Sequence, residues 1–178
     1  MLDADCPNSR AGIREIYVSG QTQLPTTAGY GVTWGSDEEI TALALDTGEF
    51  WIKIVPARNT AFVTQELTKI RNASNVIQTL TFNRDGLSIA DRKAMKQLND
   101  CCRVNVVVIT NAGVKLVFGL SYVDGTATNK EYFRVTAGFA NTGTDPNADS
   151  AEAQLVMSGD APWFAPVGTF ADSALALS

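Results

Sequence analysis

Residues Val104 to Ile109 read Val-Asn-Val-Val-Val-Ile, the most β-prone run in the chain. β-branched side chains lose little freedom on a pleated surface, so such a run is a strand before it is anything else. Its flanks narrow the choice further. Upstream, Ser88 stands before an amphipathic stretch reaching about Cys101, with Asp91 three residues on. A hydroxyl that accepts from an orphan backbone N–H, with a carboxylate at the positive end of the helix dipole, marks a helix start. Ile89, Met95, Leu98 and Cys102 fall near one face of that helix, and Arg92, Lys93, Lys96 and Asp100 largely elsewhere. Downstream, Asn111-Ala112-Gly113 is a turn, and Val114–Val123 is a second apolar strand. Leu87–Val123 is therefore a helix packed on a sheet, with no residue that performs chemistry.

The rest of the chain is strand-rich. Ile13–Val18, Glu38–Asp46, Glu49–Val55, Thr60–Thr68, Val76–Asn83, Glu131–Ala140 and Ala151–Ser158 alternate or run apolar between turn signals. Lys69–Asn75 is polar and suits an exposed loop, and Arg84-Asp85-Gly86 breaks the sheet before the helix. With 178 residues and 45% apolar side chains, one domain with a real core is expected over 1–178. The expected fold is mainly β: a β-sandwich or split barrel with one flanking α-helix at about 88–101. An N-terminal arm at 1–12, a long loop at 19–35 and a C-terminal arm at 159–178 complete it.

Chemistry is poorly supplied. There is no histidine, which removes the commonest general base and metal ligand. Three cysteines, two of them adjacent at Cys101-Cys102, read as reduced thiols rather than a disulfide. Asp145, Asn147 and Asp149 are spaced like the start of a calcium loop, but Ser150 stands at the sixth position and Val156 at the twelfth. Asp37-Glu38-Glu39 is an acidic cluster without a second ligand group at a fixed spacing. No catalytic, cofactor or metal site is expected. The net charge of −5 argues against a protein that grips nucleic acid, though not against a surface that DNA slides past. No signal peptide or apolar run long enough for a membrane span is expected, so a cytoplasmic origin is.

Large aromatics stand in segments that look irregular: Tyr30 and Trp34 in the long loop, Trp163, Phe164 and Phe170 in the tail. A domain of this size has limited core to receive them, which favours an obligate oligomer. Arg92, Lys93 and Lys96 form a basic helix face suited to an acidic patch on a neighbouring copy. Asn111 marks a hairpin tip available for contact.

One layout ties these segments together. A sheet segment Glu49-Phe50-Trp51-Ile52-Lys53-Ile54-Val55 precedes the capped helix, the Val-rich strand with its turn, and a strand holding Phe118-Gly119-Leu120. A strand with Gly138, the stretch Thr142-Gly143-Thr144-Asp145, and Ala153-Gln154-Leu155-Val156-Met157-Ser158-Gly159 follow. Over residues 48–165 this resembles the tail tube proteins of tailed bacteriophages and related connector rings. The resemblance implies a non-enzymatic virion protein, made in the host cytoplasm. Its copies would close a hexameric ring around an inner β-barrel, and rings would stack into a tube. DNA would pass the lumen without specific binding, and other virion proteins would cap the tube. Inter-subunit contacts would fall to Tyr30, Trp34, Arg92, Lys93, Lys96, Asn111, Trp163, Phe164 and Phe170. Two other readings compete. One is a neck, connector-ring or tail-completion protein. The other is a monomeric carbohydrate-binding module using Trp34, Trp51 or Trp163 as a stacking platform.

Overall fold

A computed structural model describes residues 12–25, 30–57, 60–70, 73–85, 89–100, 103–123, 127–141 and 152–175. The order of elements is β1 (Ile13–Gly20), a 3₁₀ turn (Gln21–Gln23), β2 (Val32–Trp34), β3 (Ile40–Leu43), β4 (Ile52–Ile54), β5 (Phe62–Ile70) and β6 (Ala73–Asp85). Then come α1 (Ile89–Asp100), β7 (Val104–Thr110), β8 (Lys115–Phe118), β9 (Leu120–Val123), β10 (Ala127–Lys130), β11 (Tyr132–Asn141), β12 (Glu152–Ala161), β13 (Val167–Gly168) and a last 3₁₀ turn (Asp172–Leu175). The fold is mainly β and sandwich-like, with one flanking helix among the described residues. Ser88, the expected helix cap, lies outside the described residues. So do residues 1–11 of the expected arm, Cys101-Cys102, Thr142–Asp145 and the Asp145/Asn147/Asp149 group.

A seven-stranded sheet runs β2-β3-β13-β8-β7-β1-β4, and a four-stranded antiparallel sheet runs β11-β12-β6-β5. The first core lies between them. Ile16, Val18, Val104, Val106, Val108 and Phe118 come from the large sheet, and Leu80, Phe82, Phe133, Leu155 and Met157 from the small one. Leu98 seals it from α1. The large sheet's other face carries Tyr17, Val107, Ile109 and Val117 into a second core with Leu24, Val32, Trp34, Ile40, Leu43, Trp51, Phe170 and Leu175. All six residues from Val104 to Ile109 are therefore buried. A strand covered on both faces has no polar side to present, which is why this one reads as an apolar run with Asn105 as its one polar member.

Four expectations change. First, Val114–Val123 is two strands, broken at Gly119, where φ is +89°. There the chain leaves the large sheet and enters a two-stranded sheet, β10-β9. A Cβ at 119 would sit 2.5 Å from the Val104 carbonyl oxygen, so the crossing needs glycine twice over. The buried Gln21 amide ties the same crossing, donating to the carbonyls of Gly119 at 3.0 Å and Glu131 at 2.6 Å. Second, the exposed loop expected over Lys69–Asn75 is mostly strand. β5 and β6 pair as far as Ile70↔Ala73, because polar residues suit a sheet with one wet face.

Third, the segment at 19–35, expected as a long loop, contains β2 (Val32–Trp34), and its described residues fold over the core. Trp34 Nε1–H donates to Thr128 Oγ1 at 2.8 Å, and the ring meets Tyr122 edge-on at 5.3 Å. Fourth, the expected C-terminal arm is woven into the fold. Gly159–Ala161 belong to β12, and β13 lies between β3 and β8, parallel to one and antiparallel to the other. The second core, which local pattern does not announce, absorbs the aromatics that a single core could not.

One ion pair pins the β4 edge. Lys53 Nζ lies 2.9 Å from Glu15 Oε1, and the Tyr17 hydroxyl donates to Glu15 Oε2 at 2.8 Å. The Lys53 hydrogen bond, aided by Tyr17, holds the Glu15 carboxyl below its ordinary range. A carboxylate with a depressed folded pKa adds stability above its unfolded pKa and loses it as pH falls through the folded one. Lys53→Met should therefore lower stability at neutral pH, by about 1 kcal/mol or less for a partly exposed pair. The difference from wild type should shrink as pH drops through the folded Glu15 pKa. Urea titrations from pH 7 to pH 2 check this, and a gap that widens toward acid would refute it.

Candidate assembly surfaces

The four-stranded sheet ends in two strands with no neighbour on the outer side among the described residues, β5 and β11. They are nine and ten residues long and contain no proline. Each carries exposed apolar side chains, Phe62 and Leu67 on β5 and Tyr132 on β11. Proteins blunt long free edges with proline, inward charge or short strands, because unpaired N–H and C=O groups template another strand. Here one irregularity, between Val135 and Ala137, bends β11, and β5 has none.

Register defines what the sheet presents. Val63, Leu80, Met157 and Val135 align across the four strands and face the first core. The rows on the opposite face are Phe62-Thr81-Val156-Ala137, Thr64-Thr79-Ser158-Arg134 and Glu66-Ile77-Asp160-Tyr132. That face is mostly hydroxyl and small apolar, with two carboxylates and one guanidinium in the three rows. It offers no basic stripe for phosphates. Arg134 lies over the Tyr132 ring at 4.9 Å and Arg103 over the same ring at 5.2 Å, so the β11 edge is locally positive.

A second surface lies where β12 leaves the sheet. Trp163 and Phe164 are 55% and 39% exposed and meet edge-to-face, centroids 5.3 Å apart at 75°. The segment is held from below. The Gln78 side-chain amide donates to the Trp163 carbonyl at 3.1 Å, and Ala165 N–H donates to Gln65 Oε1 at 2.6 Å. The pair lines a cleft of about 230 Å³ together with Asp37, Glu38 and Glu39. Glu38 holds φ at +60°, a region non-glycine residues seldom occupy, so the turn between β2 and β3 is tight.

The expected contact residues divide. Trp34 and Phe170 are buried in the second core, at 7% and 4% exposure, and Tyr30 packs against that core under Lys130 Nζ at 4.3 Å. Their own chain uses them. Trp163 and Phe164 stay on the surface, as do Lys93 and Lys96 on α1. Arg92 lies in α1, but its side chain falls outside the described residues. Asn111 is exposed at the β7–β8 hairpin, where its N–H donates to the Gly12 carbonyl at 3.0 Å. Trp51 is 2% exposed, so Trp34, Trp51 and Trp163 form no shared stacking platform. The open β5 and β11 edges are not legible in the sequence, because edge position depends on pairing partners far away in it.

Among the described residues no group of three or more His, Cys, Asp or Glu is placed to hold a metal. No described helix is long and apolar enough to cross a membrane. The larger cavity, about 490 Å³ between Ser19–Gln23, Glu49 and the end of α1, contains the buried Ser19. Its Oγ has no hydrogen-bond partner, so no base addresses it. No family model, no curated protein and no solved structure matches this chain.

Proposed function

We propose that this chain is a non-enzymatic virion structural protein, a tail tube subunit whose copies close into rings through the four-stranded sheet. The observation that carries this reading is the pair of free edges. β11, β12, β6 and β5 alternate in direction, so β5 and β11 run antiparallel to each other. A copy related by rotation about an axis near the strand direction brings its β11 antiparallel to this copy's β5. Each junction then continues the pattern, and ring closure leaves the four-stranded sheet no edge.

Size agrees with a conduit. About six copies give roughly 24 strands, and at ~4.8 Å spacing and ~40° tilt the backbone cylinder is about 48 Å across. Side chains take about 5 Å on each side, leaving ~38 Å, room for a DNA duplex. About three copies would leave only ~14 Å by the same arithmetic. The wet face, rich in Thr and Ser with more carboxylate than guanidinium, would line the lumen. Together with the −5 net charge it supports passage of DNA without retention. The protein would assemble in the host cytoplasm and reside in the virion beside other virion proteins. A neck or connector ring uses the same edge closure but does not stack.

Negative-stain microscopy of the purified chain should show rings and hollow tubes. Phe62→Lys with Thr64→Lys, both on the exposed β5 edge, should give monomers that still unfold cooperatively, with a free energy of unfolding changed by about 0.5 kcal/mol or less. A wild-type chain that stays monomeric at micromolar concentration in light scattering would sink the reading.

A further inference from the structure

The two open edges of the four-stranded sheet do not lie level. Glu66 of β5 stands in one row with Tyr132, the first residue of β11, and Phe62, the first residue of β5, stands in one row with Ala137. Past the Glu66 row β5 runs on through 67–70, four residues whose rows meet no part of β11. Past the Phe62 row β11 runs on through 138–141, four residues whose rows meet no part of β5. The overhang at one end equals the overhang at the other. The edges also match in length. β5 pairs nine residues with β6, and β11 pairs nine of its ten with β12, the irregularity between Val135 and Ala137 leaving Thr136 out of register.

A second copy can meet this edge level or slid along it. In the level arrangement the rows run straight through the junction, and only 62–66 of β5 face β11. The strands then stand along the ring axis, whereas a closed sheet needs tilted strands. Sliding the second copy by four residues brings all nine positions of both edges together. Four residues advance about 13 Å along a strand and four strands span about 19 Å, so the slide tilts the strands by ~35°, at the shallow end of the range for closed barrels. This tilt follows from the outline of the sheet and holds for any number of copies.

We infer that the ring junction pairs β5 of one copy with β11 of the next in the register Ile70↔Tyr132, Thr68↔Arg134, Glu66↔Ala137 and Phe62↔Asn141. This rests on the ring closure proposed above and assigns its contact residue by residue. The register keeps both faces of the sheet continuous. Glu66, Arg134 and Ala137 belong to the wet face, and Val135 to the core side. Leu67, four residues on from the core-facing Val63 and 40% exposed in a single copy, comes opposite Val135. Glu66, exposed and without an ion pair among the described residues, lies diagonally across from Arg134. Opposite charges at neighbouring cross-strand positions favour the pairing.

Cysteine pairs in the full-length protein read the register. Directly opposite residues on antiparallel strands have Cα atoms about 4.5–5.5 Å apart, within disulfide reach, and a slide of four residues moves them by about 13 Å. Thr68→Cys with Arg134→Cys should therefore give a ladder of disulfide-linked multimers on mild oxidation. Peptide mass spectrometry distinguishes the 68–134 link from any through the native cysteines. Thr64→Cys with Arg134→Cys, positions that stand level within one sheet, should give no 64–134 link. All three positions are exposed and both variants lose Arg134, so a folding defect does not separate them. A 64–134 ladder overturns the register and leaves ring closure standing. Rings in negative stain with neither link overturn the register and take the junction off these two edges. Wild-type chains that stay monomeric overturn ring closure and the register together.

Discussion

A chain ending at Ala161 should fail to fold. The deleted residues look dispensable, being rich in Pro, Ala and Ser with few strand signals. Their removal would nonetheless take β13 out of the middle of the large sheet, leaving β3 with β2 alone and giving β8 a new raw edge. Val117 N–H would lose the Pro166 carbonyl at 3.0 Å. Lys115 would lose the Phe170 carbonyl at 2.9 Å and also Asp172 at 2.9 Å, whose carboxyl the lysine's hydrogen bond holds below its usual range in the intact chain. The second core would lose Phe170 and Leu175, both nearly fully buried. Those two side chains alone are worth about 2–3 kcal/mol each. With the strand hydrogen bonds the loss reaches the whole stability of a typical domain, about 5–15 kcal/mol. Circular dichroism and urea titration of the 1–161 chain measure it. A cooperative transition near the wild-type midpoint would show the segment to be a detachable arm after all.

Phe118→Ala should be the most damaging single substitution in the first core. Phe118 is fully buried and stacks on Phe133 from the opposite sheet, centroids 5.3 Å apart at 26°. The pair therefore packs one layer on the other at the centre of the first core. Truncation leaves a cavity between sheets that cannot slide together, at a cost of about 3–5 kcal/mol. Phe118→Leu, which keeps most of the volume, should cost about 1–2 kcal/mol. Trp163→Ala, a larger deletion on the surface, should cost at most about 0.5 kcal/mol in the same urea titration. A Phe118→Ala chain no less stable than Trp163→Ala would mean the sandwich is not packed through this pair. The contrast separates aromatics that hold the chain together from those left over for a partner.

Residue type and spacing were informative where an element's character is local. The helix over Ile89–Asp100 follows from its charge and apolar periodicity. β7 follows from its β-branched run, and the β7–β8 hairpin from Asn111-Ala112-Gly113, with Gly113 at φ +84°. The class of the fold followed from counting such elements. The candidate site was legible only in part. Trp163, Phe164, Lys93 and Lys96 were singled out from sequence and do lie on the surface. Trp34 and Phe170 carried the same signal, a large aromatic in an irregular stretch, and are interior.

No local pattern separates those two groups, because exposure is set by what packs on top. β13 is two residues long and holds its place through Leu116 and Lys115 on one side and Ile40 on the other. No propensity is strong enough over two residues to announce a strand, so the pairing partners create it. The same holds for the free edges of the small sheet. β5 and β11 look like every other strand in sequence, and only the order β11-β12-β6-β5 leaves them last. The sequence by itself determined that this chain is mainly β, with a helix after Ser88, and that it has no histidine. Only the tertiary structure decided that the large sheet is covered on both faces, which aromatics stay outside, and which strand edges remain open. Strand pairing joins segments remote in the chain, and its outcome is written in no one of them.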